Sequence, residues 1–160
     1  MTPTPEQVRR LEASWRLWEI TVAGLHKLAD DLLSAGEDTP ALIRLFSLGD
    51  SELRWEGSEA FEHLLREWGA GDMSPHEAAG VVSLDLAVEL LEGSLTPAQA
   101  VSNVRQIVRD VPSAAEGLAE WNVLTEEFSW YDSHPYLGRP LASIEADVID
   151  LARSIVKRHS

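Results

Sequence analysis

Apolar positions along this chain recur at the three- and four-residue spacing of α-helices, and no segment has the alternation of a β-strand. The first such stretch predicts a single helix from about Pro5 to Ser34, ended by Gly36. Glu12 and Arg16 fall on its polar side and are expected to be exposed. Its apolar seam is predicted to pack on the domain's own core, with a coiled coil as the alternative; the seam consists of Leu11, Trp15, Trp18, Val22, Leu25, Ala29 and Leu32.

Three segments share one helix-start signature: a hydroxyl residue, a proline directly after it, and Glu or Gln at the third helical position. They are Thr4-Pro5-Glu6-Gln7, Ser74-Pro75-His76-Glu77 and Thr96-Pro97-Ala98-Gln99. The hydroxyl can accept a hydrogen bond from a backbone N–H, and the Glu or Gln side chain can accept one in return. Thr39-Pro40 has the same start without the return partner.

The remaining helices are predicted between Gly and Pro breaks at about 40–48, 58–68, 75–91, 97–110, 113–128 and 141–157. The helix at 75–91 is apolar around most of its circumference, which is typical of a buried helix. We therefore predict an all-α fold, a compact bundle of six to seven helices around this central helix. We expect the bundle to form a single domain over residues 1–160, because this length suits one domain.

The charge balance is strongly acidic, with 13 Lys and Arg against 27 Asp and Glu and a formal net charge of −14. Such a field repels nucleic-acid phosphates and anionic membrane surfaces, so we expect neither as a partner. It would attract a basic protein, although an acidic surface that only maintains solubility is the alternative. The chain has no Cys and no Gly-rich phosphate loop, and no cofactor is predicted.

Nothing in the sequence predicts insertion into a membrane. No apolar run approaches the ~20 residues that span a bilayer. The first ten residues, MTPTPEQVRR, lack the apolar stretch of a signal peptide. Together with the absence of Cys, these features predict a cytoplasmic protein.

Two groups of carboxylates could carry chemistry. His63 has Glu59 and Glu67 one helical turn away on either side. This pattern could contribute to a metal site, but an exposed ion-pair ladder is favoured because further ligands would have to come from elsewhere. No metal site is therefore predicted. Asp85 and Glu89 lie one turn apart on the apolar helix. They could act as an acid–base pair, or they could mark the only hydrated edge of this helix.

Residues 128–140 form the most distinctive segment, with four aromatic side chains, a His, two prolines and a Gly. Pro135, Gly138 and Pro140 predict an irregular loop there. The segment is rich in Trp, Tyr and Arg, which are enriched at interface hot spots. The loop could bind a partner or plug the core with its aromatic side chains, and it could do both. The candidate partner-binding residues are Glu126, Glu127, Trp130, Tyr131, Asp132, His134, Tyr136 and Arg139.

Part of the chain, residues 86–140, resembles small helical bacterial toxin-immunity proteins of the colicin-immunity-like kind, some relatives of which are uncharacterised. The resemblance rests on Leu91-Glu-Gly-Ser-Leu-Thr-Pro97, a short helix, and Phe128-x-x-x-Asp132 followed by a Pro and Arg139. It implies an acidic protein that blocks a basic nuclease-like toxin by imitating its nucleic-acid substrate.

The sequence thus predicts a cytoplasmic binding protein for a basic protein partner. Two other functions stay open. One is a structural or oligomeric adaptor that uses Trp15 and Trp18 of the first helix as a homo-oligomer surface. The other is an enzyme that uses either Asp85 with Glu89 or Asp132 with His134 as acid and base.

Overall fold

The computed structural model describes residues 2–135 and 138–160, and its regular structure over these ranges is helical, with eight α-helices and no strand. The predicted all-α class is confirmed, and the predicted six to seven helices are close to the number observed. Contacts between Cα atoms divide the chain into two compact units, one that ends at Ser74 and one that begins at Pro75. The single domain over 1–160 stays a prediction.

The first unit contains four α-helices: α1 Pro5–Arg16, α2 Leu25–Ser34, α3 Pro40–Ser47 and α4 Asp50–Glu67. A 3₁₀ turn at Val22–Gly24 precedes α2. α3 packs against α4 and α2. Their facing sides form a buried core whose larger members are Leu25, Leu42, Leu45, Leu48, Leu53, Phe61, Leu64 and Leu65.

The long first helix predicted over residues 5–34 is wrong, because the chain leaves the helix after Arg16 and resumes it at Leu25. The break is a Schellman motif. The N–H of Trp18 donates to the carbonyl of Trp15 (3.2 Å), and the N–H of Glu19 donates to the carbonyl of Ser14 (2.9 Å). Trp18 adopts the left-handed φ of 61°, which only Gly adopts without strain.

The same pair of hydrogen bonds ends three other helices, and each of these has Gly at the left-handed position. These are Gly36 (φ 96°), Gly69 (φ 77°) and Gly93 (φ 81°). The predicted stops at these glycines are therefore correct. The break at Trp18 was not predictable in this way, since its sequence has no Gly where the chain turns.

The predicted start of the 58–68 helix is also wrong, because α4 begins eight residues earlier, at Asp50. Glu52 accepts a hydrogen bond from the N–H of Gly49 (3.4 Å), so the Gly-Asp-Ser segment starts a helix instead of only ending one. Gly57 then lies inside α4, where a Cβ would come within 3.3 Å of Leu25 and of Val22. This glycine permits close packing of α4 on the segment before α2.

Glu12 and Arg16 are not on an exposed face, contrary to the sequence prediction. Glu12 is only 4% exposed and accepts hydrogen bonds from the N–H groups of Gly71 and Met73, both at 2.9 Å. Arg16 donates to the carbonyl of Gly71 (2.7 Å). These side chains hold the end of the first unit onto α1, an attachment that helical periodicity cannot reveal.

The second unit contains α5 Pro75–Glu92, α6 Pro97–Asp110, α7 Ala119–Ser133 and α8 Leu141–Arg158. α5 matches the predicted central helix and packs mainly against α8, while α7 packs against α6 and α8. Two 3₁₀ turns, Pro112–Ala114 and Glu116–Leu118, lead into α7. Trp121 is buried and donates from Nε1 to the Ser83 hydroxyl of α5 (2.8 Å).

The predicted loop over residues 128–140 is partly wrong, since α7 continues to Ser133. Residues 128–133 contain no Pro or Gly, and the first breaker is Pro135. Its ring disfavours helical backbone at the residue before it, and His134 accordingly has φ −138° and ψ 63°. Trp130, Tyr131 and Asp132 therefore lie on the last turn of a helix.

The capping boxes predicted at Thr4 and Thr96 are confirmed. Thr4 pairs with Gln7 and Thr96 pairs with Gln99, each through one hydrogen bond in each direction. Within the described ranges, none of the helices has the length and apolarity needed to cross a membrane.

Candidate functional site

A hollow of about 530 Å³ lies in the second unit beside the end of α7. Six of the eight predicted partner-binding residues line it, namely Glu126, Glu127, Trp130, Tyr131, His134 and Arg139. Val123, Gly138 and Ile144 complete the lining. The hollow therefore lies largely among the residues that the sequence predicts to bind a partner.

Trp130 contributes an aromatic surface to the hollow. The residue is 56% exposed, and the ring of His134 stacks on its indole with centroids 4.1 Å apart and planes 19° apart. Gly138, with φ 143°, lies so close that a Cβ there would be 3.3 Å from the indole Nε1. The stacked ring and the glycine thus fix the indole while much of it still reaches solvent.

The position of His134 leaves one of its ring nitrogens without a hydrogen bond within the described part of the chain. Its Nδ1 is buried and has no hydrogen-bond partner among residues 2–135 and 138–160. A buried ring nitrogen without a partner normally costs about 1–3 kcal/mol. The stack of this ring on Trp130 is therefore kept although one of its polar atoms is not satisfied by any described residue.

Arg139 ties the segment after α7 to the two neighbouring helices. Its guanidinium contacts Glu127 of α7 (3.0 Å) and Asp147 of α8 (2.6 Å), and it also donates to the Ser143 hydroxyl (2.8 Å). The hydrogen bond to Asp147 is the main cause that raises the pKa of Arg139 above its ordinary value. Arg139 therefore acts as a clamp within this unit, and its charge is already compensated.

The charges around the hollow sum to a negative value. Glu126, Glu127 and Asp147 supply three carboxylates, against the single guanidinium of Arg139. Glu126 is exposed, and no ion pair involving it occurs in the described ranges. The hollow consequently combines an aromatic wall with a carboxylate that is available to a cation.

The remaining two predicted residues are not among those that line the hollow. Asp132 is exposed on α7 and outside the lining, and Tyr136 lies outside the described residues. The sequence prediction missed Val123, Gly138, Ile144 and Asp147. Val123 and the α8 residues have ordinary helical patterns that do not mark them, although the Gly138 signal was present and was assigned to a loop.

The residues proposed for an enzyme do not form an enclosed acid–base pair. Asp85 is half-buried, while Glu89 and Asp132 are exposed. His63 lies 3.6 Å from Glu59, as in the predicted ladder, whereas Glu67 accepts a hydrogen bond from the N–H of Ala41 (3.3 Å). In residues 2–135 and 138–160, no three His, Asp or Glu side chains are grouped to hold a metal ion.

The two tryptophans proposed as an adaptor surface lie in different environments. Trp15 packs on Phe61 with centroids 4.8 Å apart, and its Nε1 donates to Glu62 (3.0 Å). Trp18 is 70% exposed. Only Trp18 therefore offers most of its indole to a partner.

Comparisons with known proteins leave the resemblance to immunity proteins untested: no family model, curated protein or solved structure matches this chain.

Proposed function

We propose that this chain is an acidic binding protein that receives a basic side chain of a protein partner in the hollow beside Trp130. The observation that carries the proposal is the grouping of an exposed indole with three carboxylates and one compensated guanidinium. Trp is one of the residue types enriched at interface hot spots, and the carboxylates make this surface complementary to a basic partner.

The geometry suits an Arg or Lys side chain of the partner. Its cationic group would lie against the Trp130 indole, where the ring quadrupole attracts it. The Glu126 carboxylate would supply a charge-assisted hydrogen bond. Because Arg139 already contacts Glu127 and Asp147, it keeps the hollow in shape without adding an uncompensated positive charge.

The net charge of −14 would act at longer range. It would steer a basic protein toward the surface and make association fast and sensitive to salt. In the sharpest form of the proposal, the partner is a nuclease-like toxin in the cytoplasm whose cationic site the acidic surface covers. A protein that neutralises such a toxin needs no catalytic group of its own.

The first test is an affinity capture at low salt from extracts of the source cells, with three baits. These are the wild type, Trp130→Ala/Glu126→Gln, and the control Trp55→Ala/Glu92→Gln. The control removes the same charge and an equally large exposed ring, since Trp55 is 86% exposed and Glu92 is exposed. We expect a basic protein that the wild type and the control retain and the hollow variant loses.

Binding kinetics with the captured protein then separate the role of the Trp130 indole from that of the Glu126 carboxylate. Trp130→Ala should weaken binding at least about thirtyfold, mainly through faster dissociation, as expected for a buried anchor. Glu126→Gln should mainly slow association and flatten its salt dependence. Equal recovery by all three baits, or a captured protein of acidic charge, would contradict the proposal.

A further inference from the structure

A second hollow, of about 510 Å³, lies in the first unit at the break between α1 and α2. Its volume is within the range of small-molecule sites, about 300–1,000 Å³. Apolar side chains and two hydroxyls dominate its wall, with one guanidinium; the lining residues are Trp15, Arg16, Trp18, Ile20, Thr21, Val22 and Ser58. None of these residues belongs to the hollow beside Trp130.

The polar groups of this wall are largely compensated within the unit. Arg16 forms a two-pronged ion pair with Glu62 and donates to the carbonyl of Gly71. The Trp15 Nε1 donates to the same Glu62. An occupant would therefore find no uncompensated carboxylate or cation among these groups. The Thr21 hydroxyl accepts a hydrogen bond from the N–H of Gly24 (3.2 Å) and can still donate one. With the Ser58 hydroxyl, it supplies the polar contacts that an occupant could use.

Trp18 is the feature that points to an occupant. It occupies the left-handed position of a Schellman motif where three other helices have Gly. The residue is 70% exposed, so burial within the protein does little to offset the backbone strain. A ligand that covers the indole would supply the missing apolar contact.

We propose that this hollow binds a neutral, flat aromatic small molecule whose ring stacks on the indole of Trp18. The first unit contains 14 Asp and Glu against seven Lys and Arg, and this excess disfavours an anion. Arg16 of the wall and Glu62 compensate each other, so neither offers a free charge to bind a charged ligand. An uncharged ring needs no such partner, and its polar edge can reach Thr21 or Ser58.

The test uses N-phenylnaphthylamine, a neutral aromatic dye that becomes fluorescent in apolar surroundings, titrated into the whole protein. Trp18→Gly should weaken binding at least about tenfold, since the stacking partner is lost. This variant keeps the fold because Gly is the preferred residue at that backbone position. Trp55→Ala, which removes an exposed tryptophan of the same unit, should bind the dye as the wild type does.

Two further measurements locate the bound dye and establish its charge preference. Ser58→Met keeps Trp18 and should also weaken binding, because it fills the hollow from α4. The sulfonated analogue of the dye, anilinonaphthalene sulfonate, should bind more weakly than the neutral dye. The inference is overturned if the dye does not bind, if Trp18→Gly leaves binding unchanged, if the sulfonate binds at least as tightly, or if Trp130→Ala abolishes binding instead.

Discussion

At the scale of single residues, Trp18 is an exception within a motif that this chain otherwise builds with glycine. A side chain in the left-handed region costs about 1–2 kcal/mol, because its Cβ approaches the next carbonyl oxygen. Trp18→Gly should therefore raise the free energy of unfolding by about 0.5–1 kcal/mol, once the greater chain entropy of Gly is subtracted. Chemical denaturation measures this change.

The matched substitution in the opposite direction is Gly93→Ala. Gly93 has φ 81° in the same motif, and a Cβ there would meet no atom within 4 Å. Any loss of stability in this variant comes from the backbone, and we expect about 1 kcal/mol. If Trp18→Gly destabilises the protein instead, the indole contributes more to the free fold than its exposure indicates.

Glu62 links α4 to α1 and makes the free energy of unfolding depend on pH in the acidic range. The hydrogen bonds from Arg16 are the main cause that lowers its pKa below the ordinary glutamate value. A lowered pKa in the folded state contributes stability above the ordinary value, and this contribution is lost as the pH falls through the folded pKa. The stability difference between wild type and Glu62→Gln, about 1 kcal/mol at pH 7 for this partly exposed pair, should shrink below about pH 4.

The control for this acid dependence is the same substitution in a background without the main donor. In Arg16→Met, the effect of Glu62→Gln should be smaller at pH 7 and should change less with pH. Denaturant titrations of the four proteins at pH 7 and pH 3 give the comparison. A difference that stays constant with pH in the wild-type background would contradict the assigned cause.

At the scale of elements, the sequence predicted helix starts better than the interruption within a helical pattern. Thr4 and Thr96 predict the starts of their helices because a cap is a local interaction between residues three apart. The break after Arg16 is not local in this sense. The apolar seam continues through Trp18 and Val22, so periodicity predicts an unbroken helix, whereas Val22 lies in a 3₁₀ turn close to Gly57.

The candidate site was predicted in its composition but not in its geometry. Trp130, His134 and Arg139 stood out because such residues are unusual together in one segment. Ile144, which lines the hollow, and Asp147, which pairs with Arg139, both lie on α8 and come to this site only through tertiary packing. The sequence carries no local signal for such tertiary contacts.

The packing of α5 on the 3₁₀ turn at Glu116–Leu118 yields a prediction for these elements. A Cβ on Gly117 would lie 2.6 Å from the Cβ of Ala79 and 3.2 Å from the carbonyl oxygen of His76. Gly117→Ala must therefore push the turn away from α5, and we expect a loss of about 2 kcal/mol or more. Thermal unfolding followed by circular dichroism measures it.

Gly80 supplies the comparison within α5. No atom lies within 4 Å of the Cβ that Gly80→Ala would add, so helix propensity alone should act. This variant should gain about 0.5–1 kcal/mol. If both alanine variants change stability in the same direction, close packing at Gly117 is not the limiting contact.

At the scale of the whole molecule, the acidic excess is spread over both units. Each carries seven more acidic than basic residues, with 14 against seven up to Ser74 and 13 against six beyond it. The ion pairs on exposed helix faces, such as Lys27 with Asp31 and Arg153 with Asp150, offset little of the resulting repulsion. Self-repulsion should therefore oppose folding in both units.

Salt should consequently act in opposite directions on the free protein and on its complex. Raising the ionic strength from about 0.01 M to 0.15 M shortens the screening length from about 30 Å to about 8 Å. This relieves repulsion in the free protein, and we expect its Tm to rise by a few degrees, since ~1 kcal/mol corresponds to about 2–4 °C at this size. The same screening removes the attraction that steers a basic partner, so association should slow.

Scanning calorimetry and stopped-flow association at matched NaCl concentrations test both signs together. A repeat in KCl checks that screening, and not one particular cation, causes the change. A Tm that falls with salt would mean that local ion pairs outweigh the net charge of −14. An association rate that does not change with salt concentration would mean that the partner recognises Trp130 and its hollow without attraction by the net negative charge. The partner would then need no basic surface.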